Sequence, residues 1–314
     1  MTYKKHLRFL LILIGVLVLL YTGGLVFNYN RGNVRSISHT WLDSRAAGMV
    51  TRIAFDTGWD DFELVKRNDL WFVSYNESVF PARQLRLEDF LNFLTTRSSW
   101  TVRSTTASAH ENFGLDDNAL RVTLFQDNSV LLDLLVGDDD FARRETYVRQ
   151  VGQNEVRSGD NILKSYLTNP VSAWYNLRLI PETEGGNIGT ENIQRLSVFT
   201  PEGVQTFTRR NRAWEITGFN IENADHGSIE NYIRTVLNAE GVDFVDSVSS
   251  FDPMFNHSRI VIEFGTGNVT TIRFSQDDEE GNRLAHVTGR DIVYLIPVWR
   301  ATRLFPDDTS FVMR

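Results

Sequence analysis

Apolar and polar positions change their rhythm twice along the chain. From Phe9 to Phe27 no residue is charged, in the run FLLILIGVLVLLYTGGLVF. A helix of that length, rising ~1.5 Å per residue, spans roughly 28 Å, close to the hydrocarbon thickness of a bilayer. From about residue 50 onward the period is shorter. FELVKRNDLWFV (62–73) alternates apolar and polar side chains about a polar centre, which predicts two half-buried strands joined by a short turn. In LEDFLNFLT (87–95), Leu87, Phe90, Leu91 and Leu94 stand at i, i+3, i+4 and i+7, so a helix there carries one apolar stripe. RVTLF (121–125) and VLLDLLVG (130–137) flank a polar turn and predict a hairpin.

The same succession then recurs. RIAFDTGWDDFELVKRNDLWFV (52–73) aligns with RLSVFTPEGVQTFTRRNRAWEI (195–216), matching Arg52 to Arg195, Asn68 to Asn211 and Trp71 to Trp214. IENYIRTVL (229–237) repeats the helical stripe with Ile229, Tyr232, Ile233 and Val236, and Ser228 is the expected N-cap. RIVIEF (259–264) and VTTIRFS (269–275) repeat the hairpin. GDDDFARRETYV (137–148) aligns with QDDEEGNRLAHV (276–287), setting Asp138-Asp139 against Asp277-Asp278. WYNLRLIP (174–181) aligns with WRATRLFP (299–306), setting Trp174 against Trp299 and Arg178 against Arg303.

The expected fold is therefore α+β: an N-terminal transmembrane helix, then two duplicated modules, each an antiparallel sheet with one packing helix. The expected boundaries are a tail at 1–8, the span at 9–27 and a polar stalk at 28–48 with a short helix near Trp41. A first module follows at 49–181, a Gly-rich linker at 182–192 and a second module at 193–314.

Charge gives the span a direction. Lys4, Lys5 and Arg8 precede it, which favours an N-terminus left in the cytoplasm and everything after Asn28 on the far side. A cleaved signal peptide would have a shorter apolar core ending in a small-x-small site, and LVFNYN supplies none. Residues 1–35 hold five basic side chains and no acid. The remaining 27 basic residues face 40 acidic ones in 36–314, a balance of −13. Such a part repels nucleic acid and anionic surfaces, so no nucleic-acid partner is expected. The chain has no cysteine, which excludes disulfides, thiolate catalysis and Cys-based metal sites.

With the repeat laid out, the chain resembles the bacterial family of uncharacterised proteins grouped as DUF4340. The likeness rests on the N-terminal anchor, the strands ending at Trp71, Pro81 ahead of the 87–95 helix, and FGLDDNALRVTLF (113–125). LLVGDDD (134–140), YVR (147–149) and the closing Trp174, Arg178 and Leu179 complete it. The resemblance implies a membrane-anchored companion of an ABC-type transport system of the gliding-motility kind, beside its permease. It carries over no catalytic residue. The second copy has HVTG (286–289) where the first has YVR, so the two copies would not meet a partner identically.

The candidate chemistry is sparse. Asp138, Asp139 and Asp140, and Asp277 and Asp278 with the following glutamates, are the most conspicuous carboxylate groups. Calcium loops alternate their ligands around a glycine turn, whereas these acids are consecutive between two strands, as in a solvated hairpin loop. The five histidines beyond the anchor segment are scattered and form no H-x-x-x-H pair. Neither GTGN (265–268) nor Gly185-Gly186 is a phosphate loop, so an ATPase serving this protein would be another chain. The recurring tryptophans are expected in cores. Arg178 and Arg303, four residues after theirs, are candidate partner contacts. No catalytic residue and no cofactor is expected.

The expected function is a non-enzymatic, membrane-tethered extracytoplasmic accessory or scaffold of an ABC-type transport system. Its expected partners are the lipid bilayer, through residues 9–27, and the permease or other envelope subunits, at the cytoplasmic membrane. The alternatives are a module binding envelope glycan or peptidoglycan, and an envelope hydrolase using the acidic loops.

Overall fold

The computed structural model describes residues 14–18, 21, 36–180, 188–211, 213–221, 224–245 and 253–311. The tail at 1–8, most of the expected span, the stalk up to residue 35 and residues 182–187 of the linker lie outside the described residues. Residues 14–18 and 21 are helical, and among the described residues no helix is long and apolar enough to cross a membrane.

The fold is mixed α/β, with two antiparallel sheets and few helices. The first sheet holds β1 (Ser36–His39), β2 (Arg52–Asp56), β3 (Phe62–Arg67), β4 (Leu70–Tyr75), β5 (Ser78–Pro81), β6 (Ser98–Ser104), β7 (Leu120–Gln126), β8 (Ser129–Asp139), β9 (Glu145–Gln150) and β10 (Val156–Asp160). Their order is β1-β6-β10-β9-β8-β7-β2-β3-β4-β5. The second sheet holds β11 (Ile193–Thr200), β12 (Gly203–Arg210), β13 (Ala213–Thr217), β14 (Asp243–Phe244), β15 (Ser258–Phe264), β16 (Val269–Phe274), β17 (Arg283–Val287) and β18 (Val293–Ile296), in the order β13-β12-β11-β15-β16-β17-β18-β14. The helices are α1 (Ser44–Gly48), α2 (Gln84–Thr95), α3 (Ile162–Thr168), α4 (His226–Leu237) and α5 (Val298–Leu304).

The eight strands of the second sheet follow the same path as eight of the first. Three meander, a helix carries the chain to one strand at the far edge, and four more run back between them before a second helix. By compactness the chain divides elsewhere. The described residues up to Glu63 form one unit with Glu88–Asn169, and Leu64–Leu87 form the other with the residues from Pro170 on. These units differ from the 49–181 and 193–314 boundaries read from the repeat.

In the first unit, Phe55 of β2 stacks on Phe62 at 4.7 Å between centroids and meets Phe90 of α2 at 5.6 Å. Tyr166 of α3 meets Phe90 at 5.1 Å. The α2 stripe thus packs on the sheet side where the period-3.6 pattern points it. Residues 36–48, expected as stalk, belong to the fold. β1 pairs with β6, Leu42 is buried, and Trp41 sits edge-on to the buried Trp100 at 4.9 Å. The hydrophobic payload of Trp41 and Leu42 outweighs the polar appearance of the flanking segment.

In the second unit, α4 buries Ile229, Tyr232, Ile233 and Val236. The Tyr232 hydroxyl donates to the Leu304 carbonyl at 2.9 Å, and burial pushes its phenol far above the usual range. The N-cap is Asp225, not Ser228: its carboxylate accepts from the Gly227 and Ser228 backbone N–H groups and from the Ser228 hydroxyl. Carboxylates cap well because helix N-termini favour negative charge.

The turns agree with the sequence pattern. Asn68 and Asn211, matched by the repeat, both have positive φ, 49° and 50°. Asn visits this region more cheaply than most residues, because its short side chain bonds locally. The closing match fails. Trp174 is fully buried in a 3-10 turn, whereas Trp299 is 52 % exposed on α5. By position, α5 follows β18 as α3 follows β10, so the spatial counterpart of the Trp299 segment is 162–168.

Candidate functional site

The acidic runs hold their own loops. Asp140 Oδ1 accepts the backbone N–H groups of Arg144 at 2.7 Å and Glu145 at 2.9 Å, and these bonds hold its carboxyl below the usual carboxylate range. Asp139 Oδ1 accepts from Thr146 Oγ1 at 2.8 Å and Lys164 Nζ at 3.1 Å. In the second loop Asp278 Oδ1 accepts the backbone N–H groups of Glu280 at 3.0 Å and Asn282 at 2.7 Å. Desolvation alone would raise the Asp278 pKa, and bonds from Asn282, Glu280 and Gly281 outweigh it and lower it. Asp277 pairs with Arg283. The residue that ties the loop is therefore Asp140 in one case and Asp278 in the other, one position off the repeat alignment. Among the described residues no group of three or more His, Asp or Glu side chains could hold a metal ion.

Asp138 serves a close approach of backbones. A Cβ on Gly137 would lie 2.2 Å from the Phe113 carbonyl oxygen and 2.9 Å from that of Gly114. Gly114 itself has φ +63°, and a Cβ there would meet the Asp138 carboxyl carbon at 2.7 Å. The segments FGLDD and LLVGDDD thus cross with no room for side chains, which explains both glycines.

The two arginines singled out from sequence converge at the C-terminal end of α4. Arg178 Nη2 donates to Asn238 Oδ1 at 2.7 Å, and Asn238 is the C-cap. Arg178 bridges Glu240 in a single antiparallel pair. Arg300 Nη1 donates to the carbonyls of Glu240 and Gly241 at 2.7 and 2.6 Å, and Arg83 lies 3.7 Å from the Glu240 carboxylate. The negative end of the helix dipole favours cations here, and the Asn238 side chain, the Glu240 and Gly241 carbonyls and the Glu240 carboxylate supply their acceptors.

Beside it lies a hollow of about 190 Å³, lined by residues including Asn238, Glu240, Trp299, Arg300 and Arg303. The guanidinium carbons of Arg300 and Arg303 stand 4.7 and 5.7 Å from the Trp299 ring centroid. Arg178 and Arg300 are tied to the scaffold, while Arg303 is exposed and makes no ion pair among the described residues. An exposed indole flanked by cations suits contact with an acidic or planar partner group. Arg83, Asn238, Glu240 and Arg300 escaped the sequence reading. Only the W-R-x-x-R spacing, which puts Trp299 and Arg303 on one helical face, could have signalled the cluster.

A family model described as a domain of unknown function, DUF4340, matches residues 71–254, more than half of the chain. The chain belongs to the DUF4340 family. No curated protein and no solved structure matches it. The DUF4340 match runs in one stretch across the 182–192 segment rather than falling on either repeat. It takes in Gly114, Gly137, the first acidic run, Arg83, Arg178, Asn238 and Glu240. Trp299, Arg300 and Arg303 lie beyond it.

Proposed function

We propose that this DUF4340 protein is a non-enzymatic, membrane-tethered extracytoplasmic component of an ABC-type transport complex, and that it docks through the Trp299–Arg303 face. The observation that carries the docking reading is the exposed Trp299 ring flanked by Arg300 and the free Arg303. The uncharged run at 9–27 with Lys4, Lys5 and Arg8 before it supports a tether with the modules outside the cytoplasm. The shared strand path of the two sheets supports reading the soluble part as a duplicated module. A tether raises the effective concentration of a weakly binding face near the permease.

The test is affinity recovery of the full-length protein from detergent-solubilised native membranes. Permease and ATPase subunits should co-purify, and Trp299→Ala or Arg303→Glu should reduce their yield at least severalfold. Recovery of the protein alone, or yields that ignore both substitutions, would sink the proposal.

A second reading, binding of envelope glycan, draws on the same exposed indole, which could stack on a sugar ring. Retention of the full-length protein on peptidoglycan, lost in Trp299→Ala but kept in Arg303→Gln, would favour it. The hydrolase alternative is not carried forward, because Asp139, Asp140, Asp277 and Asp278 are each bonded to neighbouring groups of the fold.

A further inference from the structure

We infer that the second sheet carries a binding site for a phosphate-bearing ligand, centred on Arg259 and Arg273. Phe199 of β11, Arg259 of β15 and Arg273 of β16 stand in register across three neighbouring strands, so they share one face. Buried Val198, Ile260, Ile272 and Phe274 alternate with them and belong to the core, which places this row on the opposite, outer face. Like charges directly opposed on an antiparallel pair repel, and an isolated sheet gains nothing from such a pair. Neither arginine makes an ion pair among the described residues. Arg259 instead lies over the Phe199 ring, 4.2 Å from its centroid, which orients its guanidinium fork.

The row forms the wall of a hollow of about 480 Å³, which Asn256, His257 and Ser258 also line. That volume suits a small organic ligand. Among the described residues two arginines and a histidine line it, and no carboxylate does. The buried Ser258 hydroxyl has no hydrogen-bond partner among the described residues. Acids stand at the border. Asp277 and Asp278 line an adjoining hollow that shares Asn256 and His257, but they are engaged by Arg283 and Asn282. The exposed Glu202 carboxylate is held below the usual range first by a hydrogen bond from Thr200, with His257 a lesser cause. Arginines opposed in register on neighbouring strands supply two planar forks, and a tetrahedral oxyanion offers each an edge of two oxygens. The remaining space would take the organic part of an ester.

The chemistry is shared by soluble phosphate esters and lipid headgroups, and the experiment separates them. Full-length protein in non-ionic detergent is titrated calorimetrically with pyrophosphate, glycerol 3-phosphate and dihexanoyl phosphatidic acid. At least one should bind saturably, more weakly as salt rises. Arg259→Gln and Arg273→Gln should each weaken it tenfold or more, with unchanged melting temperature. Tighter binding of the phosphatidic acid than of glycerol 3-phosphate assigns a lipid source, and equal or weaker binding a soluble one. Absence of binding by all three probes, or binding indifferent to both substitutions, overturns the site.

Discussion

Phe80 and Phe244 stack face to face, with centroids 4.7 Å apart and planes inclined by only 6°. Tyr175 touches both, and Tyr294 meets Phe244 at 5.2 Å. Segments far apart in the chain are thus joined within one compact unit by aromatic surface. Phe80→Ala should destabilise that unit by about 3–5 kcal/mol. A double-mutant cycle with Phe244→Ala should return a coupling of ~0.5–1.5 kcal/mol in chemical denaturation. Strict additivity would show that the stack contributes burial alone.

Gly137 should tolerate a methyl group less well than Gly114. At Gly137 the added Cβ meets backbone oxygen, which can yield only if two segments separate. At Gly114 it meets the end of an Asp138 side chain, which can rotate, and the remaining cost is the left-handed backbone. We expect Gly137→Ala to cost about 3 kcal/mol and Gly114→Ala ~1–2 kcal/mol. Thermal melts giving the reverse order would contradict the crossing described above.

The loop role of Asp140 predicts a response to mutation without a response to metal. Asp140→Ala removes two backbone hydrogen bonds and should lower the melting temperature of the protein. Calcium or a chelator should leave the wild-type melt unmoved. A calcium-dependent rise that Asp140→Ala abolishes would restore the metal reading of these acids.

His39 should make stability fall in mild acid. Its imidazole is held below the usual 6.5 by burial first and by the Arg157 guanidinium second, with Glu155 opposing. The unfolded chain therefore takes up a proton near pH 6.5 that the folded chain declines until lower pH. The contribution is complete above 6.5 and is lost progressively as pH falls towards the folded value. Melting temperatures followed from pH 7.5 to 5 should drop less steeply for His39→Gln than for wild type. Parallel curves would mean that the site, where Trp41 meets the ring edge-on at 4.8 Å between centroids, does not exclude the charged imidazole.

Much of the architecture was legible in local pattern. Alternation placed β3 and β4, and the 3.6-residue stripe placed α2 and α4, because side-chain direction alone fixes which positions can share an apolar face. The repeat alignment likewise paired Asn68 with Asn211, since a two-residue reversal needs a residue that accepts positive φ. The same method failed at Trp299. Identical letters, W-x-x-x-R-L, begin on a buried tryptophan at the end of a 3-10 turn at one place and on an exposed tryptophan of a helix at the other. Short identities do not encode burial, which depends on what the rest of the chain brings near.

Local period, charge and composition were enough to determine the mixed class of fold, strands β3 and β4, helices α2 and α4, the acid excess of residues 36–314 and the uncharged N-terminal run. Tertiary structure decided what lies beside what. It brought Arg178 and Arg303 to the end of one helix, set Arg259 against Arg273 over an open hollow, and crossed two glycine segments too tightly for any side chain. Those relations join residues far apart in sequence, and their energies exist only once the intervening chain has folded, so no local window contains them.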